Sequence, residues 1–255
     1  MCIAYLSLGA DPKWPVFIAA NRDEFHARPA LPAGPWPEAP HVIAGRDLTA
    51  GGTWLGLSRG HRWALLTNFR NPRSHRDDAL SRGELVSGFL RGDMPAETYI
   101  ADVHARSGQY NGFNLIVGEG AQAWYVGNHA ASTGPVTLAQ GRYALSNHAL
   151  DTPWPKVERL RTRLDALLPE NGTMQLEPVY DVLRDGVQPE DDHLPETGLP
   201  LEMERLLSSV FIVSPEYGTR CSTIIALNAQ GSGIFSEITY DSAGTPRERH
   251  DWPVA

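Results

Sequence analysis

The stretch CIAYLSLGADPKWPVFIAANRDE, residues 2–24, decides the fold. Residues 2–8 and 16–20 are short apolar runs separated by Gly9, Asp11 and Pro12, the pattern of a β-hairpin buried on at least one face. The chain is therefore expected to open as mature structure rather than as a targeting signal: residues 1–8 carry no basic leader, and the first charges are Asp11 and Lys13. A thiol at position 2 without an obvious sulfur partner adds the expectation of a cytoplasmic setting. The polar cluster Asn21-Arg22-Asp23-Glu24 stands at the end of the second run, beside Cys2 if the two strands pair.

Cys2 brings the chemistry. Its side chain is small enough for methionine aminopeptidases to tolerate, and removal of Met1 would leave an α-amine beside the thiol. An α-amine of ordinary pKa ~7.7 to 8.0 can act as the general base for its own nucleophile. A guanidinium at Arg22 would raise the thiolate fraction, and a carboxylate at Asp23 would hold the amine. From position alone Cys2 reads equally as a small buried hydrophobe opening a strand, and residues 21–24 as a solvated strand exit followed by a turn.

Composition narrows the function classes. A length of 255 residues fits one large domain or two small ones, and 42% hydrophobic against 20% charged residues excludes a disordered chain. No apolar run approaches the ~18 to 20 residues of a membrane span. The 22 Lys and Arg residues are scattered against 30 Asp and Glu, a net charge of -8, which argues against a nucleic-acid surface. Cys2 and Cys221 cannot build a disulfide framework or a four-thiolate zinc site, and Cys221 reads as a buried spectator. The nine histidines, His26, His41, His61, His75 and His148 among them, show no H-E-x-x-H spacing, so no metal is expected. Gly118 and Gly120 lack the rest of a phosphate loop, and no cofactor is expected.

Further along, residues 53–57 and 62–68 predict a second hairpin around Ser58-Arg59-Gly60-His61. The proline-rich segment 27–40 predicts an ordered irregular loop, and the acidic segment 188–200 another. Ser81-Arg82-Gly83-Glu84 predicts a capping box that opens a helix with Leu85, Val86, Phe89 and Leu90 on one face. Tyr99, Ile100 and Val103 predict a second helix after Pro95. A third starts at Pro155 with Val157, Leu160, Leu164, Leu167 and Leu168 on one face, and Leu176, Val179, Tyr180 and Leu183 mark a fourth. Residues 113–118, 123–127 and 142–146 read as strands, and 210–213, 222–227 and 234–240 as three closing strands. Grouped helices favour an α+β layered fold over a doubly wound parallel sheet.

Taken together, Met1-Cys2, Asn21-Arg22-Asp23-Glu24-Phe25, Arg28-Pro29, Gly45-Arg46-Asp47, Gly51-Gly52-Thr53-Trp54-Leu55-Gly56, Thr67-Asn68, Ser146-Asn147 and Gly218-Thr219-Arg220 resemble the NRDE family, also called transport-and-Golgi-organisation-two-like. The resemblance spans essentially the whole chain and implies a single NRDE-type domain over residues 1–255. It also implies the four-layer αββα sandwich of N-terminal nucleophile hydrolases. Among these, the cysteine amidases that cut bile-salt and penicillin side-chain amides are the nearest analogy. That analogy makes Cys2 the nucleophile, with Arg22 and Asp23 beside it, Asn68 and Asn147 as oxyanion donors, and Arg220 as a later arginine. Arg22 and Asp23 stand closer together in sequence than the corresponding pair of those amidases. Asn21, Glu24, Arg28 and Trp54 would border the substrate.

Three functions compete. One is an amidohydrolase or acyl-transfer enzyme acting on a non-peptide amide or a thioester. The second is a non-catalytic carrier of a hydrophobic acidic ligand, an acyl-CoA, a lipid or haem, clamped by Arg22, Arg28 and Arg220. The third is a structural protein whose polar cluster is a salt-bridge network. The first two take a small molecule as partner, and the enzyme further requires Asn68 and Asn147 to converge on a cleft in which Cys2 lies within ~6 Å of Arg22 or Asp23. The oligomeric state has no signature in the sequence.

Overall fold

The computed structural model describes residues 2–130, 132, 134–168 and 174–255. Strand β1 (Cys2–Leu8) turns at Gly9, whose φ of 61° lies in the left-handed region, and returns as β2 (Val16–Phe25). The cluster at 21–24 is thus not a strand exit. β2 carries it onward to Phe25 because β1 pairs with one side of this segment and a strand from the far end of the chain with the other.

Next come β3 (Ala30–Trp36), β4 (Ala39–Asp47), β5 (Leu55–Ser58) and β6 (Arg62–Asn68). The segment 27–40, expected to be irregular, is largely strand. β3 is the edge of its sheet, where the N–H groups that Pro32 and Pro35 lack have no ladder to complete, and its register breaks between Leu31 and Gly34 and between Pro35 and Trp36.

Helices α1 (Gly83–Arg91) and α2 (Ala96–Ala105) lead to β7 (Phe113–Glu119), β8 (Gln122–Gly127), β9 (Val136–Leu138) and β10 (Gly141–Leu145). Helices α3 (Pro155–Leu167), α4 (Leu176–Leu183) and α5 (Leu201–Leu206) precede β11 (Tyr217–Leu227), β12 (Gly233–Tyr240) and β13 (Pro246–Val254). The expected capping box does not form: α1 starts without a side-chain cap, and the Glu84 carboxylate accepts the Tyr110 hydroxyl instead. Nor do residues 210–213 make a strand. Asn21 Nδ2 donates to the Val210 carbonyl and Thr219 Oγ1 accepts the Ile212 N–H, so side chains satisfy backbone that would otherwise seek a ladder. The third closing strand is β13.

Antiparallel pairing yields a six-stranded sheet, β10-β1-β2-β11-β12-β13, and a seven-stranded sheet, β3-β4-β5-β6-β7-β8-β9. Side chains alternate across each strand, so Leu6 and Leu8 of β1 and Ile18 and Ala20 of β2 enter the layer between the sheets, with Trp63, Leu65, Ile116, Ile225 and Phe235. Ile3, Tyr5, Phe17 and Ala19 face outward, under Leu160 and Leu164 of α3 and Val179 and Leu183 of α4. The second sheet is covered in the same way by Leu85 and Phe89 of α1 and Ile100 and Val103 of α2. Each buried aliphatic or aromatic side chain adds ~1.5 to 3 kcal/mol of transfer free energy. The architecture is an α+β, four-layer αββα sandwich. Leu167 is 37% exposed and lies off the buried stripe of α3, which runs through Val157, Leu160 and Leu164 to Leu168 at the helix end. No helix of the described residues is long and apolar enough to cross a membrane.

Candidate active site

Register sets the site. Cys2 stands opposite Arg22 in the β1–β2 ladder, and Arg22 stands opposite Cys221 in the β2–β11 ladder. Opposed residues share a face, with Cα atoms ~4.5 to 5.5 Å apart. The alternation that sends Ile18 and Ala20 between the sheets sends Arg22 there too, and turns Asp23 toward the helices.

Cys2, Arg22, Asp23 and Glu24 border a cleft of about 330 Å³ completed by Arg28, Asp47, Trp54, Asn68 and Arg82. The Arg22 guanidinium lies 4.2 Å from the centroid of the Trp54 ring. It pairs with Glu24 at 3.9 Å and Asp47 at 3.7 Å, too long for direct hydrogen bonds, while Arg28 Nε holds Asp47 at 2.7 Å. Arg22 Nη1 is buried and finds no hydrogen-bond partner among the described residues. Trp54 fits only because residue 45 is glycine: a Cβ on Gly45 would lie 2.3 Å from the indole. Arg82, on the far wall, donates to the Gly112 carbonyl at 3.0 Å, and burial lowers its pKa.

Cys2 is half-buried. Burial pushes its thiol pKa up and the Asp23 charge adds to this, whereas Arg22 and a backbone hydrogen bond from Asp23 oppose it. Beneath, on the helix side of β2, buried Asp23 accepts Thr219 Oγ1 at 2.7 Å from the opposed position of β11. Burial raises the Asp23 carboxyl above the usual carboxylate range, against the pull of Lys156, Thr219 and Arg22. Lys156 comes from the first turn of α3 and donates to the Leu207 carbonyl at 2.8 Å. Burial, reinforced by Arg70, lowers its ammonium to about 7. Arg70 is itself buried in an ion pair with Glu204 at 2.7 Å.

The residues expected from the sequence divide. Asn68 ends β6 and borders the cleft with Cys2. Asn147 is fully buried behind it: its Nδ2 donates to the Asn68 carbonyl at 3.0 Å, and its Oδ1 accepts Ser146 Oγ, which also lies 3.2 Å from the Cys2 carbonyl. Asn21 is not brought to the open cleft. Its amide donates to the Leu183 and Val210 carbonyls and accepts Ser222 Oγ. Arg220 is the extra residue of a β-bulge between Thr219 and Cys221. The bulge turns it away from Cys2, to donate to the carbonyls of Phe25, His26 and Arg28.

Sequence reasoning missed Asp47, Arg82, Lys156, Arg70 and Glu204. Asp47 stands in the sequence within Gly45-Arg46-Asp47, and Arg82 within the expected capping box Ser81-Arg82-Gly83-Glu84. Lys156 and Glu204 carried no signal, since each becomes buried only through contacts between segments far apart in the chain. Among the described residues no group of three or more His, Cys, Asp or Glu side chains is arranged to hold a metal ion.

A sandwich of two antiparallel sheets between helical layers is the fold of N-terminal nucleophile hydrolases. The C2A mutant of the conjugated bile acid hydrolase from Clostridium perfringens aligns with a TM-score of 0.56 and 9% identity, over 99% of this chain and 92% of that one. Penicillin V acylase from Agrobacterium tumefaciens aligns with a TM-score of 0.55 and 13% identity, over 96% of this chain and 84% of that one. The chain belongs to the Transport and Golgi organisation 2 family, which it matches over residues 1–242. The Transport and Golgi organization protein 2 homolog of Bos taurus is 35% identical over 256 residues, covering 93% of this chain and 92% of that relative.

Proposed function

We propose that this chain is an N-terminal-cysteine hydrolase or acyl-transfer enzyme acting on a non-peptide amide or a thioester. The observation that carries the reading is the pairing of Cys2 with Arg22 at the mouth of a cleft that Asn68 also borders. The fold it shares with a penicillin V acylase and a bile acid hydrolase supports it.

In this reading, removal of Met1 frees the α-amine of Cys2, and Asp23 serves as its counter-ion. The amine takes the thiol proton as sulfur bonds to the substrate carbonyl carbon, and negative charge moves to the carbonyl oxygen. Asn68 stabilises that oxygen, and Asn147 acts as a positioning residue that holds the Asn68 backbone. Collapse breaks the bond to the leaving nitrogen or sulfur, which takes the proton from the α-ammonium. Water then attacks the thioester and gives its proton to the amine, and the carboxylic acid leaves as the thiol re-forms. Arg22, Arg28, Glu24 and Trp54 border the bound substrate. While Met1 remains, Cys2 has no free amine and burial disfavours its thiolate, so the unprocessed chain is inactive.

The test uses chain whose Met1 removal is verified by intact mass. It should hydrolyse a panel of N-acyl amides or thioesters, and iodoacetamide should label Cys2 only after processing. Processed chain that neither turns over the panel nor reacts at Cys2 would sink the proposal. Tight binding of acyl-CoA or haem by a Cys2→Ser variant of such an inert chain would put the carrier in its place.

A further inference from the structure

Arg22 and Trp54 have a second side. Beyond them, a cleft of about 240 Å³ opens between β3, β11, β12 and β13, with Arg220 and Arg247 at its wall and Glu237 at its floor. Leu31, 50% exposed, supplies an apolar rim.

The cleft carries charges of both signs, and exposed Glu248 borders it with its carboxylate 3.1 Å from His250 Nε2. Arg247 is paired with Asp241 at 2.7 Å. Glu237 is 1% exposed and committed to the fold, accepting the Ala33 N–H at 2.7 Å and Thr223 Oγ1 at 2.9 Å, and burial raises its carboxyl toward the neutral form. Arg220 has no carboxylate within ion-pair distance among the described residues, and its Nη1 is shared among three backbone carbonyls. Arg22 is 5% exposed, its carboxylates stand at 3.7 and 3.9 Å, and its Nη1 is unpartnered among the described residues. Burial, then the charge of Arg22, lower the pKa of Arg220, so the two guanidiniums repel each other across the cleft. Arg220 without an ion pair and Arg22 Nη1 without a hydrogen-bond partner, both among the described residues, are the two groups an anion could satisfy here.

We propose that this second cleft binds the acidic head of an amphipathic ligand, a carboxylate, sulfonate or phosphate, between Arg22 and Arg220, with the apolar part of the ligand along Leu31 and Trp54. The inference rests on the hydrolase reading only in taking that ligand to be the substrate. Arg22 and Trp54 border both clefts, so the anion site shares a wall with the Cys2 cleft.

Calorimetric titration of the full chain with octanoate, octanesulfonate and octyl phosphate, against octanol as the uncharged control, tests it. The anions should bind at least ~10-fold more tightly than octanol, and the tightest of them names the head group. Arg220→Gln should weaken the anions ~10-fold or more and leave octanol unchanged, the loss expected for a charge-assisted contact. Arg220 also ties down backbone, so the exposed Leu31 provides a second pair of variants: Leu31→Glu should weaken anion binding and Leu31→Lys should not. Equal affinity for octanoate and octanol overturns the inference, as does absence of binding by all three anions. An octanoate affinity untouched by both Arg220→Gln and Leu31→Glu overturns it equally. Iodoacetamide labelling of Cys2, run on the same processed samples, keeps the two readings apart: a chain inert at Cys2 that still binds octanoate as described keeps this cleft and loses the hydrolase.

Discussion

Cys2 and Cys221 flank the same arginine in one row across β1, β2 and β11, yet the two thiols live in opposite surroundings. Cys2 heads its strand, half-buried, on an open cleft, with Arg22 and a backbone hydrogen bond from Asp23 working against burial. Cys221 lies inside β11, buried at the edge of the second cleft beside the Glu237 carboxylate. Burial, and next the charge of Glu237, push its thiol well above the usual range. A shared guanidinium therefore does not decide which sulfur can react. Position along the strand separates their exposure: Cys2 at the strand end is half-buried, and Cys221 inside β11 is buried.

The largest effect should follow from breaking that asymmetry directly. In processed chain, Cys2→Ser should cut turnover by at least ~10³, whereas Cys221→Ser should hold it within about threefold. Iodoacetamide followed by peptide mass mapping should find Cys2 alkylated in the native state and Cys221 only in urea. Equal native labelling of the two would erase the distinction.

Gly45→Ala acts on the wall that both clefts share. The added Cβ would lie 2.3 Å from the Trp54 ring, so the indole must leave its place under Arg22. Overpacking of this kind costs ~1 to 3 kcal/mol, read from the urea midpoint, and the alkylation rate of Cys2 should change while Cys221 stays protected. An unchanged midpoint together with an unchanged Cys2 rate would show that Trp54 does not support the row.

Thr219→Val probes the helix side of β2. The Thr219 hydroxyl donates to Asp23 and accepts the Ile212 N–H, so removing it strips a donor from one buried group and an acceptor from another. A loss of ~1 to 3 kcal/mol in urea unfolding is expected, with Cys221→Ala as the comparison from the inner face. Should the valine variant prove as stable as the parent, the Thr219 link between Asp23 and the segment at 210–213 is not structural.

How much of this could be read beforehand follows from where each signal resides. The hairpin at residues 2–20 was legible because alternation and turn residues are local, and its register alone brings Cys2 to Arg22. The helices with a clear apolar stripe were legible for the same reason. The strand at Ala30–Trp36 was not, since its prolines argue against a ladder and only its place at a sheet edge reconciles them. The resemblance assigns Asn21 to the substrate border and Arg220 to the later arginine, but strand alternation turns Asn21 to the helices and a bulge places Arg220 at the second cleft, neither of which a linear motif encodes. Lys156 reads in sequence as an ordinary solvated helix residue. Its burial beneath the site depends on α3 docking over the first sheet, a contact that no local pattern announces.

Lys156→Met should give the smallest change at neutral pH and separates the two faces of β2 most cleanly. Burial, with Arg70 next, lowers the folded ammonium to about 7, whereas an unfolded lysine titrates near ~10.4. Between those values the unfolded chain binds more protons than the folded one, so the stability of the parent rises as pH increases from about 7 toward 10. Replacing the lysine removes this rise, and urea midpoints of parent and variant at pH 7 and pH 9 should diverge in favour of the parent at the higher pH. The inner face should respond differently. At pH 8 most of the lysine is already neutral, so Cys2 alkylation in the variant should stay within about twofold of the parent. The gap should widen near pH 6, where the parent still carries the positive charge that Asp23 and Cys2 feel. Parallel stability curves for the two proteins from pH 7 to 9 would mean that Lys156 keeps its charge in the fold, and its role beneath Asp23 would then be that of a permanent counter-ion rather than a titrating one.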